Sequence, residues 1–189
     1  MKRILIISCI FLFCFGCRNS NEQNKIMINT PEKTVIAFLN WYKIHYDSIG
    51  KFVLVKNSDY EQPDSTKLYR VNFGETEKYL SALNSSGFIS EKYLADQRKY
   101  FLSCDSNFKV NPEFDGPPDG FDYDLVMISQ DYEDDLNHPE LYKLYSSNIK
   151  PDSAELIYDT PDNARRKYSL KKENDSWKIL SIENIPIMK

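Results

Sequence analysis

The hydrophobic pattern of this chain changes period part-way along it, and that change limits the fold more than anything else in the sequence. From Val35 to about Leu102 apolar residues recur at helical spacing; from Leu141 onward they alternate with polar ones. The first period buries one stripe of a helix, the second one face of a strand. Helices first and strands second is the order of an α+β domain, with helices packed on one face of a curved antiparallel sheet.

The elements can be bounded one by one. Thr30-Pro31-Glu32 combines an N-cap hydroxyl, a proline at the first helical position and an acid in the first turn. Val35, Phe38, Leu39, Tyr42, Tyr46 and Ile49 follow at helical spacing, with Gly50 as the stop and Ala37, Trp41 and His45 as a neighbouring stripe. Asn57 to Ser65 reads as a loop, and Leu68 to Phe73 as a short strand or a helix lead-in. Glu75 to Ser85 predicts a second helix with Tyr79, Leu80 and Leu83 inward. Ser90 is the next N-cap, with Ile89 and Leu94 placed as a hydrophobic staple, and the third helix should run to about Leu102. Asn111 to Asp122, rich in Pro and Gly, cannot sustain regular structure. Leu125 to Ile128 is a buried apolar run, and Asp131 to His138 another loop. Leu141 to Asn148, Ala154 to Thr160, Arg165 to Lys172 and Trp177 to Ile182 read as strands, the last two joined by a tight turn at Asn174-Asp175.

Ahead of this domain lies a different kind of segment. Lys2 and Arg3 precede an apolar run from Ile4 to Phe15, which ends at Gly16-Cys17. Twelve helical residues reach only about 18 Å, short of a hydrocarbon core of about 30 Å. The length is that of a secretory signal, and a small residue directly before a cysteine resembles the lipobox of bacterial lipoproteins. Cys14 and Phe15 depart from the usual leucine and small residue of that motif. Residues 1–16 are therefore expected to be removed, and Cys17 to carry lipid. Residues 17–29 would form a polar, flexible tether, of which the twelve after the cysteine span roughly 20 Å. The expected location is the cell envelope, lipid-anchored to a bacterial membrane and facing the periplasm. A single domain occupies residues 30–189.

Without Lys2 and Arg3 the 24 basic residues become 22 against 28 acids, a formal charge of −6. That balance disfavours nucleic acid as a partner. With Cys9 and Cys14 removed and Cys17 lipidated, Cys104 has no partner for an intrachain disulfide. The fold must be held by its core, with Cys104 a small buried hydrophobe.

Several stretches together resemble the nuclear-transport-factor-2-like fold, and more narrowly the family called domain of unknown function 3828, small bacterial lipoproteins. They are the Thr30-Pro31-Glu32 helix with Phe38 and Tyr42, the Gly87-Phe88-Ile89-Ser90 junction, and the stretch Phe121-Asp122-Tyr123-Asp124 with Ser129-Gln130-Asp131-Tyr132. The closing Asp175-Ser176-Trp177-Lys178-Ile179 hairpin adds to them. The likeness covers about residues 30 to 185. It implies a cone of about three helices wrapped by a bent sheet and enclosing a cavity, and it implies no catalytic residues.

The crowded acids Asp115, Asp119, Asp122, Asp124, Asp131, Glu133, Asp134 and Asp135 are the best candidate site. Oxygen-rich loops suit Ca²⁺, and Asp119, Asp122 and Asp124 are the candidate ligands, but the spacing is not that of an EF-hand. A solvated acidic loop accounts for most of the cluster, with Asp122 and Asp124 shaping a cavity rim. Trp41, Tyr42 and His45 are the further cavity candidates. His45 with a carboxylate such as Asp122 would form a minimal acid–base dyad, the basis of an alternative reading as a hydrolase or isomerase. His138, beside Pro139, should be surface. Arg165, Arg166, Lys167, Lys171 and Lys172 read as a solvated strand face. Nucleophile-elbow, zinc-protease, phosphate-loop and Cys-x-x-Cys motifs are missing. The cone-fold resemblance, joined to these missing motifs, implies a non-catalytic accessory domain, with an immunity-type protein as one version, needing no cofactor. It would take a small apolar or peptide-like ligand or an envelope protein.

Replacing Cys17 by Ser should move the protein from the membrane to the soluble fraction on cell fractionation. Retention in membranes would count against the anchor.

Overall fold

The computed structural model describes residues 30–58 and 64–187. The signal segment, Cys17 and the tether to Asn29 lie outside the described residues, as do residues 59–63 of the expected Asn57–Ser65 loop. Among the described residues no helix is long and apolar enough to cross a membrane.

The chain folds as α+β. Helix α1 (Pro31–Ile49) is followed by a two-residue antiparallel pair, β1 (Val55–Lys56) with β2 (Arg70–Val71), then by α2 (Phe73–Ser85) and α3 (Glu91–Val110). A short helix α4 (Glu133–Asn137) and a 3₁₀ turn (Pro139–Leu141) lead into four strands. These are β3 (Lys143–Ile149), β4 (Ser153–Asp159), β5 (Arg165–Glu173) and β6 (Ser176–Asn184), an antiparallel meander in sequence order.

Local chemistry explains most boundaries. The Thr30 hydroxyl caps α1 by accepting from the Lys33 amide at 3.3 Å, with Pro31 in the first turn. Ser90 caps α3 through Tyr93 N at 3.1 Å. Asn174 and Asp175 both have positive φ, 47° and 62°, the left-handed pair that a two-residue hairpin between twisted strands requires.

Two expectations about the helices need correction. Helix α3 does not stop near Leu102 but continues two turns to Val110, because Phe101, Cys104, Asp105 and Phe108 prolong its buried stripe. Asp105 turns that extension to use, accepting from Val71 N of β2 at 3.2 Å and from Lys109 at 2.6 Å. The Asp131–His138 stretch is not all loop: Glu133–Asn137 is helical, with acids in its first turn where the helix dipole favours them.

One core fills the space between helices and sheet. Val35, Phe38, Leu39 and Tyr42 of α1, Leu80 and Leu83 of α2, and Phe101 and Phe108 of α3 are all buried. On the sheet the buried set alternates: Ala154, Leu156, Tyr158; then Arg166, Tyr168, Leu170; then Trp177, Ile179, Ile182. The step from Ile179 to Ile182 follows a bulge, where the register jumps from Ser169↔Ser181 to Leu170↔Ile179 and leaves Leu180 extra. Ile89 joins β6 as an isolated parallel bridge to Ile179, with Ile179 N donating to Phe88 O at 2.8 Å. Strand β3, the opposite edge, is exposed along its whole length.

Arg166 is the main departure from the sequence reading. It does not belong to a solvated basic face: it is fully buried. Strand alternation decides this. Arg165 and Lys167 point outward, to Asp159 and Glu183 respectively, while Arg166 shares the inner parity of Tyr168 and Leu170. Its Nη1 donates to Asp135 Oδ2 and to the Tyr142 hydroxyl, both at 2.8 Å. Asp135, also fully buried, accepts from Asp162 N at 3.1 Å with its other oxygen. Burial works against the charge on Arg166, but Tyr168, Tyr142 and Asp135 outweigh it and keep the guanidinium protonated.

Removing one partner of such a pair strands the other charge in the core. Arg166→Met or Asp135→Leu alone should lower the free energy of unfolding by about 3–5 kcal/mol in urea titrations, and the double variant by less than either single one.

Candidate functional site

Helix α1, the Phe52–Leu54 segment that follows it, α2 and the loop from Phe121 to Tyr132 border a solvent-open cavity of about 330 Å³. This is the lower end of the range for small-ligand sites. Its wall is aromatic: Tyr42 and Tyr46 come from α1, Tyr79 from α2, and Phe121, Tyr123 and Tyr132 from the loop, with Phe52 alongside. Asp122, Asp124 and Gln130 supply its polar groups besides the tyrosine hydroxyls.

The loop is shaped by its own aspartates. Asp124 Oδ1 accepts from the amides of Val126 at 2.9 Å and Met127 at 2.7 Å, folding the chain into a turn. Asp124 N donates to Ser129 O at 3.0 Å and Ile128 N to Asp124 O at 2.7 Å, closing that turn from both ends. Val126 and Met127 are driven into the core, while Leu125 and Ile128 stay half-buried. Ile128 is held at φ 52°, a conformation disfavoured for a β-branched residue, and its carbonyl accepts from Asn184 Nδ2 of β6 at 2.7 Å. At the other end, Gly120 has φ 80°, and a Cβ there would stand 2.8 Å from Tyr100 Oη and 3.1 Å from Cys104 Sγ. Only glycine fits this crossing over α3. Tyr100 fixes it by donating to Gly120 O at 2.6 Å. Phe121 then stacks on Phe101 at 5.9 Å between centroids.

Asp124 is half-buried, and its Oδ2 accepts from the Tyr42 hydroxyl at 2.7 Å. Burial pushes its carboxyl above the ordinary value of 3.8, against the pull of Met127 N, Tyr42, Val126 N and the more distant Arg166. Burial likewise holds the Tyr42 and Tyr79 phenols well above their ordinary range, with the Asp124 charge adding to both. These hydroxyls remain protonated donors. Tyr46 and Tyr132 hydrogen-bond each other through their hydroxyls. Asp122 is exposed at the rim and accepts from Gln130 Nε2 at 2.7 Å.

The candidate residues from the sequence fall into two groups. Tyr42, Asp122 and Asp124 come together at the cavity. Trp41 and His45 are not part of its lining: their rings stack on each other at 4.4 Å, and His45 Nδ1 lies 2.8 Å from Trp41 O on the same helix. The His45–Asp122 dyad is not formed, because His45 points one stripe away from Tyr42 and Tyr46. Asp119 lies apart on the exposed loop, where its amide donates to Glu113 Oε2 at 3.0 Å. Among the described residues no group of three or more His, Cys, Asp or Glu side chains is placed to hold a metal. His138 is exposed beside Glu140. Cys104 is buried against Tyr100, mid-way along α3 rather than at a helix end, and burial raises its thiol pKa.

No known protein family, characterised protein or solved structure matches the chain. The geometry alone carries the functional reading.

A raised carboxyl pKa makes the folded state bind a proton that the unfolded chain has released. Asp124 therefore contributes most to stability at low pH, and that contribution is lost as pH rises from 3.8 through its elevated value. Asp124→Asn should gain stability relative to wild type over that interval, read as the difference in urea midpoints from pH 4 to 7. A constant difference would show that the carboxyl titrates normally.

Proposed function

We propose that this chain is an envelope lipoprotein, anchored through Cys17, whose folded domain binds a small ligand in the aromatic cavity and performs no chemistry on it. A cone-like nuclear-transport-factor-2-like architecture, of the kind called domain of unknown function 3828, fits the order of helices followed by a four-stranded antiparallel sheet. A cavity between the helices and the loops around them is in keeping with that fold.

The observation that carries the binding reading is the state of the polar groups around the cavity. Tyr42 is committed to Asp124, Tyr46 to Tyr132 and Gln130 to Asp122. Acid–base catalysis needs a proton acceptor within reach of a substrate and tuned to the working pH. Here the half-buried carboxylate already holds three hydrogen bonds, and neither histidine lines the space. What is left is a preorganised aromatic recess with fixed hydroxyls, which favours binding over turnover.

Leu54 lines the cavity and is half-buried, so a larger side chain there would fill the recess without breaking the core. Small aromatic fragments in ligand-observed NMR should show saturation transfer from wild-type protein. Leu54→Trp should abolish it, and His45→Ala should leave it unchanged. Transfer that survives Leu54→Trp would place binding elsewhere, and its loss in His45→Ala would revive the enzyme reading.

A further inference from the structure

We propose that the cavity takes a small organic cation, an alkylammonium group seated against the tyrosine rings with its charge facing Asp122 and Asp124. The inference rests on the binding reading above and names the ligand's chemistry.

The charge on the wall points this way. Asp122 and Asp124 are its two formally charged residues, and no Lys, Arg or His joins them in the lining. The cation that most affects Asp124 is Arg166, whose Nη1 is already spent on Asp135 and Tyr142 in the core. Asp124 is thus a half-buried carboxylate satisfied by hydrogen bonds but without a counter-charge of its own. A half-buried charge in that position attracts an opposite one more strongly than a fully solvated charge does, because the protein around it screens less than water.

The rings supply the second half of the site. Faces of Tyr and Phe carry negative potential and attract ammonium groups, and an aromatic cage completed by an acid is a recurring solution for alkylated ammonium ligands. Tyr42 and Tyr46 stand edge-to-face at 5.9 Å, and Tyr46 and Tyr132 lie tilted at 5.3 Å, so several ring orientations border one space. An anion would meet two carboxylates there. A neutral ligand would fill the recess but leave Asp124 uncompensated. The volume of about 330 Å³ accommodates a trimethylammonium group with a short chain.

The test compares two probes of one shape, choline and 3,3-dimethyl-1-butanol, in which carbon replaces the charged nitrogen. Each is titrated calorimetrically into the full chain in non-ionic detergent micelles. Choline should bind at least about tenfold more tightly than the alcohol. Asp122→Asn, at an exposed rim position, should weaken choline about tenfold and change the alcohol by less than about twofold, with an unchanged melting temperature. Equal or tighter binding of the alcohol overturns the cation inference and leaves the cavity reading intact. Failure of choline to bind while the aromatic fragments still do has the same meaning; failure of choline, alcohol and fragments together overturns both.

Discussion

The pair formed by Arg166 and Asp135 ties together parts of the chain that lie far apart in sequence. Arg166 sits on the inner face of β5, and Asp135 is in α4, thirty-one residues earlier. Through the same two side chains the 3₁₀ turn is held at Tyr142, the β4–β5 turn at Asp162, and the loop turn at Met127, whose sulfur lies 4.0 Å from Arg166 Nη1. Without disulfides among the described residues, this is one of the points at which the long irregular segment between α3 and the sheet is fastened. Ion pairs of this kind add little net stability compared with apolar packing, but they penalise every arrangement that separates the partners. Its role here is therefore one of register. It fixes which way the loop lies on the sheet, and with it the direction in which Asp124 faces.

From that anchor the cavity follows. Met127 is packed beside Arg166, and the turn containing it is built on Asp124. Asn184 pulls the end of the same turn onto β6, and Tyr100 with Phe101 pins its beginning to α3. The unfavourable backbone at Ile128 is tolerated because both its amide and its carbonyl are satisfied there. A loop held at three points by side chains from three elements presents its aspartates with little freedom, and α1 closes the recess from the other side through Tyr42 and Tyr46.

What the sequence disclosed and what it hid divide along physical lines. Caps, helix stripes and strand alternation depend on neighbours within a few residues, and Thr30, Ser90 and Asn174-Asp175 could be read directly. The extent of α3 was legible in principle, since Cys104 and Phe108 continue the spacing of Phe101 past a polar interval. Arg166 was hidden by its company: among five basic residues its charge suggested solvent, although its parity with Tyr168 and Leu170 placed it inside. Asp135 was hidden in the same way among acids. Of the site, Tyr42, Asp122 and Asp124 were identifiable, but Tyr79, Tyr132 and Phe121 meet them only through tertiary packing. His45 misled because a neighbouring stripe on one helix looks close in sequence, whereas some 100° of rotation per residue separates its face from that of Tyr46.

The two halves of the molecule also divide the handling of charge. In the core, Arg166 and Asp135 are mutually neutralised and fully excluded from water, with the Tyr168 phenol beside them pushed up to about 12. At the cavity, Asp124 is half-buried and its direct partners are dipoles: two amides and one phenol. Dipoles stabilise a carboxylate without cancelling its field, so the negative potential persists in the recess and adds to burial in keeping the surrounding tyrosines protonated. The same loop thus ends one acid in a closed pair and leaves the other open toward a cavity. That asymmetry, and not the number of acids in the loop, is what distinguishes Asp124 from its neighbours as the centre of the proposed binding site.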